Sequence, residues 1–209
     1  MIEIGMDPIL LTLGPFSISW HSLFLVLGIA VGVWLPARLV AKARLSVDKI
    51  YSMALWVIPG GIIGTRLVHV IDYWDYYLAN PGAILAIWQG GMAVWGAILG
   101  GAITGVIYAR IIGFPLGRYA DLIGLGLIMG QATGRIGDII NGEHFSTATG
   151  LPWGVVYTHP SSPGFPHSLK YGAVHPAVAY ELLMDLFIFG ILWKLRERVR
   201  PDGSLFLLY

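Results

Sequence analysis

Five long apolar stretches recur along this sequence, and they constrain the fold more than any other feature. Each has about the 20 residues that an α-helix needs to cross the hydrocarbon core of a bilayer. Because backbone polar groups inside a bilayer must be paired within the segment, stretches of this kind form helices. The sequence therefore predicts an all-α, polytopic membrane bundle. The five predicted spans cover residues 18–40, 50–71, 92–112, 119–140 and 176–195.

The composition agrees with a membrane protein and excludes several other classes. Of the 209 residues, 56% are hydrophobic and only 12% are charged, whereas a soluble domain carries about 25% charged residues. The formal net charge is +1, and no basic stripe is present, so we expect no nucleic-acid partner. The chain has no cysteine, which excludes disulfides, thiolate metal sites and a cysteine nucleophile of its own. No His, Asp and Glu set has convincing ligand spacing, so we predict no metal and no cofactor.

The positive charges predict an orientation. Ten of the thirteen Lys and Arg residues lie in alternate connections or at the ends of the predicted spans that adjoin them. By the positive-inside rule, those connections are cytoplasmic. The N-terminus, the connection over residues 72–89 and the long loop over residues 141–174 then face outward. We predict one transmembrane domain over residues 1–209, with its N-terminus outside the membrane.

Two shorter segments complete this topology. Residues 72–88 are too polar to span, and we expect a short amphipathic helix there along the outer surface. Ser204–Tyr209 is apolar but far too short to cross a bilayer. We expect it to be the start of a sixth span that continues past Tyr209.

Glycine recurs at the spacing of helix-packing faces. Small residues four apart let two helix backbones approach closely in lipid, so we interpret these glycines as packing faces and not as a phosphate-binding loop. The pairs and the one triplet are Gly28/Gly32, Gly60/Gly64, Gly96/Gly100, Gly101/Gly105 and Gly126/Gly130/Gly134.

Polar residues cluster at the end of the fourth span, where a charge costs about 3 kcal/mol at membrane depth. Gln131, Arg135, Asp138 and Gly142 follow one another at three- and four-residue spacing, which puts them on one helical face. Arg135 can pair with Asp138 one turn away, or it can form an anion site, since a guanidinium grips phosphate oxygens in a fork. The two roles are compatible.

Other polar residues have both structural and functional interpretations. Arg66 in the second span either snorkels to the interface or makes a second phosphate contact. His21, at the outer boundary of the first span, is either an interfacial anchor or a base. Asp121, near the start of the fourth span, is favourable there simply because of the helix dipole. His175 and Glu181, at the start of the fifth span, can transfer protons or hydrogen-bond to the Arg135 region.

These residues together resemble one family. The segment GRIGDIINGE (Gly134–Glu143) is similar to the signature of the prolipoprotein diacylglyceryl transferases, a G-R-x-G-N-x-x-N-G-E pattern. Four further segments occur in the order expected for that family, and the resemblance covers nearly the whole chain. They are the Trp20-His21 opening, the GGIIGTR segment that ends at Arg66, the stretch WQGGMAVWGAILGG and the segment HPAVAYE over His175–Glu181.

The resemblance implies an enzyme of the bacterial inner membrane. Such an enzyme moves the diacylglyceryl group of phosphatidylglycerol onto the lipobox cysteine in the signal peptide of a prolipoprotein and releases glycerol phosphate. Its partners are these two substrates and the membrane lipids. By the same resemblance, Arg135 matches the phosphate-region arginine, and Asp121 has a family counterpart. Asn141, Gly142 and Glu143 match the rest of the signature.

The chain also departs from the family pattern at several positions. Asp138 stands where the family often has asparagine, His21 where many members have tyrosine, and Trp95 where many have histidine. Family members also carry a tyrosine and a second arginine in the span that we expect to begin at Ser204.

The chemistry implied by the family suits these residues. We expect Arg135, together with Arg66, to hold the phosphate, and either His21 or Glu143 to deprotonate the substrate thiol, whose ordinary pKa is about 8.5. Asp138, Asn141 and Gly142 would line the phosphate site, with support from Asp121, His175, Tyr180 and Glu181. Two other functions remain open at this point. Intramembrane charges are also typical of a small transporter or channel, and a catalytically silent relative would act as a membrane scaffold.

Overall fold

The computed structural model of this protein describes residues 1–14, 16–86 and 90–209. Most of these residues lie in helices, and a few lie in short strands. The helices are α1 (Trp20–Lys42), α2 (Asp48–Asp72), α3 (Trp74–Ala79), α4 (Val94–Ile111), α5 (Leu116–Asn141), α6 (Gly164–Tyr171), α7 (Ala177–Leu195) and α8 (Ser204–Leu208), with a 3-10 helix at Pro81–Leu85. The strands are β1 (Ile2–Ile4), β2 (Ile9–Leu13), β3 (Phe16–Ser19) and β4 (Val155–Tyr157).

The five predicted spans coincide with five of these helices. Helices α1, α2, α4, α5 and α7 begin and end within about three residues of the bounds expected from hydropathy. Among the described residues, α1, α2 and α4 are long and apolar enough to cross a membrane. The prediction of a helical membrane protein is therefore confirmed, and the count of five spans with the start of a sixth stays a prediction.

The short elements require one correction to the all-α prediction. β2 and β3 form an antiparallel hairpin that pairs Ile9 with Ser19, and β1 pairs in parallel with β4, with Ile4 beside Tyr157. Strands of three to five residues are shorter than the windows that reveal membrane spans, so the hydropathy pattern did not show them. In the predicted surface segment, α3 and the 3-10 helix confirm helical structure up to Leu85, and residues 87–89 lie outside the described part of the chain.

The described chain divides into two compact units. One contains Met1–Leu39 and Gly117–Tyr209, and the other contains Val40–Leu116. The prediction of one domain over the whole chain stays a prediction.

In the unit formed by residues 40–116, glycines bring α2 and α4 into backbone contact. A Cβ atom on Gly64 would overlap the carbonyl oxygen of Gly96, and one on Gly100 would overlap that of Gly60. Neither helix therefore tolerates a side chain at these positions without moving apart. This confirms the predicted packing role of both glycine pairs.

In the other unit, α1 packs against α5 in the same manner. A Cβ atom on Gly28 would lie 2.7 Å from the carbonyl oxygen of Gly130, and the reverse distance is also 2.7 Å. Gly126 faces Pro36 and Gly32 of α1, whereas nothing lies within 4 Å of a Cβ atom on Gly134. Close packing against α1 thus requires glycine at Gly126 and Gly130 of this row, whereas a methyl group at Gly134 would meet no neighbour.

The apolar core of this unit joins α1, α5, α7 and α8. Its buried members are Leu39, Leu125, Ile128, Leu192 and Leu205. The helices that hold this core also place the start of α1, the end of α5 and the start of α7 near one another, and the candidate site is built there.

Candidate active site

The first turn of α1 lies against the last turns of α5 because residue 137 is glycine. A Cβ atom on Gly137 would lie 2.8 Å from the Cα atom of His21 and 2.9 Å from the Cβ atom of Phe24. Both contacts involve the backbone or the first side-chain atom of α1, which cannot rotate away. The missing side chain therefore sets how closely His21 approaches the next residue of α5, Asp138.

His21 is held between two carboxylates. Its Nδ1 atom lies 2.7 Å from Oδ1 of Asp138 and 3.3 Å from Oε1 of Glu143. A carboxylate only accepts hydrogen bonds, so Nδ1 is the nitrogen that carries hydrogen in this arrangement. The Nε2 atom of the neutral ring then keeps its lone pair and is available to accept a proton.

Arg135 shares Asp138 with His21. Its Nη1 atom donates to Oδ2 of Asp138 at 3.2 Å, and its Nη2 atom lies 2.9 Å from Oε2 of Glu181 on α7. The ion pair predicted within α5 is thus confirmed, with a second carboxylate that comes from another helix. Asp138 is buried, with 9% of its side chain exposed, whereas the Arg135 side chain is 32% exposed and can be reached by a ligand.

His144 is a member of the cluster that the sequence did not indicate. Its Nε2 atom lies 3.6 Å from Oδ2 of Asp138. The ligand atoms of His21, Asp138 and Glu143 lie within 4.8 Å of one another, close enough to share a metal ion, although their positions in the sequence gave no ligand spacing. The guanidinium of Arg135 opposes a second cation beside Asp138, so the charges present favour a hydrogen-bonded cluster.

Two predicted substrate-binding residues, Asn141 and Gly142, lie at the end of α5 and make structural contacts there. The Asn141 carbonyl accepts a hydrogen bond from Oγ of Ser162 at 2.9 Å. Gly142 has a φ of +77°, and a Cβ atom there would lie 2.6 Å from the Tyr157 ring. The Tyr157 hydroxyl donates to the Ile139 carbonyl, and burial raises the pKa of that hydroxyl. The structure therefore explains Gly142 through its conformation and its close neighbour.

Only one of the predicted supporting residues on α7 reaches Arg135. Glu181 contacts the guanidinium of Arg135, as predicted for the start of the fifth span. Tyr180 instead lies between two partners, with its hydroxyl 3.2 Å from Nδ1 of His175 and 2.8 Å from Nε1 of Trp153. Nδ1 of His175 thus faces Tyr180, and the hydrogen bond predicted from His175 to the Arg135 region stays a prediction.

Asp121 has a structural partner that the sequence did not show. Its two carboxylate oxygens accept hydrogen bonds from the backbone N–H groups of Gly203 at 2.9 Å and of Phe206 at 3.0 Å. These groups belong to the start of α8, where helix N–H groups lack partners within the helix. Asp121 therefore ties α8 to α5, a role that the favourable helix dipole alone did not predict.

Arg66 is buried in the unit of residues 40–116, and its hydrogen-bond acceptors among the described residues are all backbone carbonyls. Its Nε atom donates to Ile84 at 2.8 Å, Nη1 to Gly90 and Gly91 at 2.8 and 2.9 Å, and Nη2 to Ala83 and Ala86. The predicted snorkelling is wrong, because the side chain is only 7% exposed. An arginine side chain has five N–H donors, and five carbonyls accept from them here. No donor is left for a phosphate, so the geometry does not support the predicted phosphate contact. The sequence could not reveal the carbonyls because they come from a connection, not from α2.

Trp95, at the position of one family departure, points away from the interior. The residue lies in the first turn of α4 and is 73% exposed. A tryptophan in an apolar span makes either a packing contact or a lipid contact, and this exposure agrees with a lipid contact.

Comparisons with known proteins single out one family. The family model for prolipoprotein diacylglyceryl transferase matches residues 8–209. The phosphatidylglycerol–prolipoprotein diacylglyceryl transferase of Dehalococcoides mccartyi is 39% identical over 100% of this chain and 78% of its own length. The enzymes of the same name from Nostoc sp. and Symbiobacterium thermophilum are 34% and 36% identical, each over 97% of this chain, and over 73% and 75% of their own lengths.

Proposed function

We propose that this chain, which belongs to the prolipoprotein diacylglyceryl transferase family, transfers the sn-1,2-diacylglyceryl group of phosphatidylglycerol to the lipobox cysteine of a prolipoprotein. This reaction is the first step of bacterial lipoprotein maturation. The observation that carries the mechanism is that one buried carboxylate, Asp138, contacts both a partly exposed arginine, Arg135, and a histidine, His21. An anion-binding group and a proton acceptor are thereby held next to each other.

The proposed chemistry is a substitution at carbon. Nε2 of His21 takes the proton of the cysteine thiol, and the thiolate sulfur attacks the sp³ glycerol carbon that is bonded to the phosphate oxygen. The new carbon–sulfur bond forms as the carbon–oxygen bond breaks, and the electron pair leaves on that oxygen. Glycerol phosphate is released, and the peptide keeps a diacylglyceryl thioether. Because this chain has no cysteine, the nucleophile comes from the substrate.

Arg135 stabilises the leaving group in this scheme. Negative charge grows on the phosphate as the bond breaks, and a fixed donor aimed at that charge lowers the barrier more than one that must reorganise. Asp138 and Glu181 fix the guanidinium from two helices. Glu143 and Asp138 together fix the ring of His21, so that Nε2 faces the substrate thiol.

We also propose the finer topology and location. The chain would cross the bacterial inner membrane five times and begin a sixth span, with the N-terminus outside. Two observations support this. The basic residues fall in alternate connections, and the contacts of His21, Arg135 and Glu181 bring together the start of α1, the end of α5 and the start of α7. An alternating path puts these three helix ends on one side of the membrane.

The proposed function is tested with purified protein, labelled phosphatidylglycerol and a lipobox peptide. We expect the peptide to gain one diacylglyceryl group for each glycerol phosphate released, and a peptide with serine in place of the cysteine to remain unmodified. Solute flux into liposomes without consumption of lipid would favour the transporter alternative. Stable protein with neither transfer nor flux would favour the scaffold.

A glycine substitution in α5 tests the placement of His21. We expect Gly137→Ala to lower transfer about tenfold or more, since a displacement of about 1 Å in a reacting group can cost as much as 100-fold. The new methyl group would meet the Cα atom of His21 at 2.8 Å and push α1 outward. The measurement is kcat/KM for the lipobox peptide.

The matched control is Gly134→Ala, three residues earlier in the same helix. Nothing lies within 4 Å of its added methyl group, and alanine favours a helix over glycine by about 1 kcal/mol. This variant should transfer like the parent and unfold at an equal or higher temperature. Equal activity of the two variants would show that the approach of α1 to α5 does not position His21.

A further inference from the structure

An apolar cavity in the unit of residues 1–39 and 117–209 lies beside the charged cluster, and the proposed mechanism does not use it. The cavity has a volume of about 440 Å³, which is within the range of small-ligand sites. Its walls come from the paired strands β1 and β4, from Val174 and from the start of α7. We propose that this cavity binds the apolar residues of the prolipoprotein signal peptide that flank the lipobox cysteine. This inference rests on the proposed function.

The cavity lies next to the charged cluster that contains Asp138. His144 lines it, and Nε2 of His144 lies 3.6 Å from Oδ2 of Asp138. Ile139, the residue after Asp138, also lines it. A ligand in the cavity is therefore one side chain away from the carboxylate that holds both Arg135 and His21. A cysteine next to the bound residues would reach the cluster without leaving the peptide.

The walls of the cavity combine aliphatic side chains with a few hydrogen-bonding groups. Most of the lining is aliphatic, with Ile2, Ile4 and Val178 among its members, but His144, His175 and Tyr180 also face the cavity. A signal peptide has an apolar segment and small residues near its cleavage site, and each of its residues also carries a backbone N–H and C=O group. An aliphatic wall with a few hydrogen-bonding groups matches that combination.

An acyl chain of the lipid is the competing occupant, and it fits less well. A hydrocarbon chain has no donor or acceptor, so binding it would strip water from polar atoms of the lining that have no protein partner, without replacing those hydrogen bonds. Nδ1 of His175 is engaged by Tyr180, and no described residue accepts a hydrogen bond from Nε2 of that ring. A peptide carbonyl supplies such an acceptor.

A substitution that fills the cavity distinguishes the signal peptide from a lipid acyl chain as its occupant. Ala179 lines the cavity, and Ala179→Phe would fill part of it. We expect the KM for the lipobox peptide to rise about tenfold or more, the range typical of a changed fit in an apolar pocket, with the KM for phosphatidylglycerol and the kcat at saturating peptide within about twofold. A rise in the KM for phosphatidylglycerol instead, or no change in either KM, would overturn the inference. The matched control is Ala148→Phe, an exposed residue outside the cavity, which should behave like the parent.

A second measurement detects peptide binding in the absence of turnover, and it uses the parent protein. A lipobox peptide with serine in place of cysteine carries a photoreactive residue next to that serine, and it is crosslinked to the parent protein. We expect adducts on β1, on β4 or on the first turns of α7, and adducts confined to other segments would overturn the inference. Absence of transfer by the parent protein would instead count against the proposed function, so the two failures are distinguishable.

Discussion

Replacement of Arg135 with alanine will reduce kcat/KM for diacylglyceryl transfer by about 100-fold or more, the usual cost of losing one fixed donor to a developing negative charge. The guanidinium is the cation that Asp138 and Glu181 hold in place, with Nη1 3.2 Å from Oδ2 of Asp138 and Nη2 2.9 Å from Oε2 of Glu181. Alanine removes the charge and the fork together. Arg135→Lys should recover only part of the activity, because an ammonium group is a point charge that cannot bind two oxygens in one plane. The measurement is initial rate against the concentrations of both substrates.

Arg118→Ala is the matched control for this prediction. Arg118 lies in the first turns of the same helix and is exposed, so its loss changes the net charge equally without touching the cluster. Both variants should insert into membranes and unfold close to the parent temperature. Parent-like transfer by Arg135→Ala would remove the guanidinium from the mechanism.

Replacement of Arg66 with methionine will destabilise the protein strongly, whatever it does to catalysis. Five backbone carbonyls accept hydrogen bonds from this buried side chain, and each buried acceptor left without a donor costs about 1–3 kcal/mol. Some carbonyls will find water, so we expect a net loss of about 3 kcal/mol or more. For a chain of this size, that loss corresponds to a fall of about 10 °C in the unfolding temperature. The measurement is thermal unfolding in detergent.

Arg110→Met provides the comparison. Arg110 lies in the last turn of α4, in the same compact unit, and is exposed. Its loss should change stability by no more than about 0.5 kcal/mol. If Arg66→Met were instead as stable as the parent and showed a raised KM for phosphatidylglycerol, the phosphate contact expected from the sequence would be restored and the structural role rejected.

Hydropathy alone predicted the helices that frame this molecule. A span of apolar residues has one stable backbone conformation in a bilayer, so the bounds of α1 and α7 followed closely from the sequence. Strands β1 and β4 did not follow, because a three-residue strand carries almost no periodic signal and is defined by a partner that lies far along the chain.

The candidate site was predictable only where it lies on one helix. Arg135 and Asp138 are one turn apart, so the helical repeat predicts from the sequence alone that they are neighbours. The pairing of His21 with Asp138 joins residues 117 positions apart. It depends on close packing of α1 against α5 at Gly137, and that approach is a property of the folded chain. His144 was missed for the same reason, although it directly follows Glu143 in the sequence.

The same limit applies to the partners of Arg66. A charged residue in an apolar span indicates that a partner exists, but it does not indicate which kind. Water and phosphate were the partners expected from the sequence, whereas the structure supplies the carbonyls of Ala83, Ile84 and their neighbours. Backbone acceptors have no sequence signature, since every residue carries one.

The central claim is that Arg135 holds the phosphate of the lipid substrate, and lipid binding tests it most directly. The measurement compares the dissociation constants of phosphatidylglycerol and of diacylglycerol with the same acyl chains, for the parent protein and for Arg135→Gln. We expect the parent to bind phosphatidylglycerol about tenfold more tightly or better, a difference of about 1.4 kcal/mol, and the variant to bind both lipids equally. The same preference for phosphatidylglycerol in both proteins would contradict the claim.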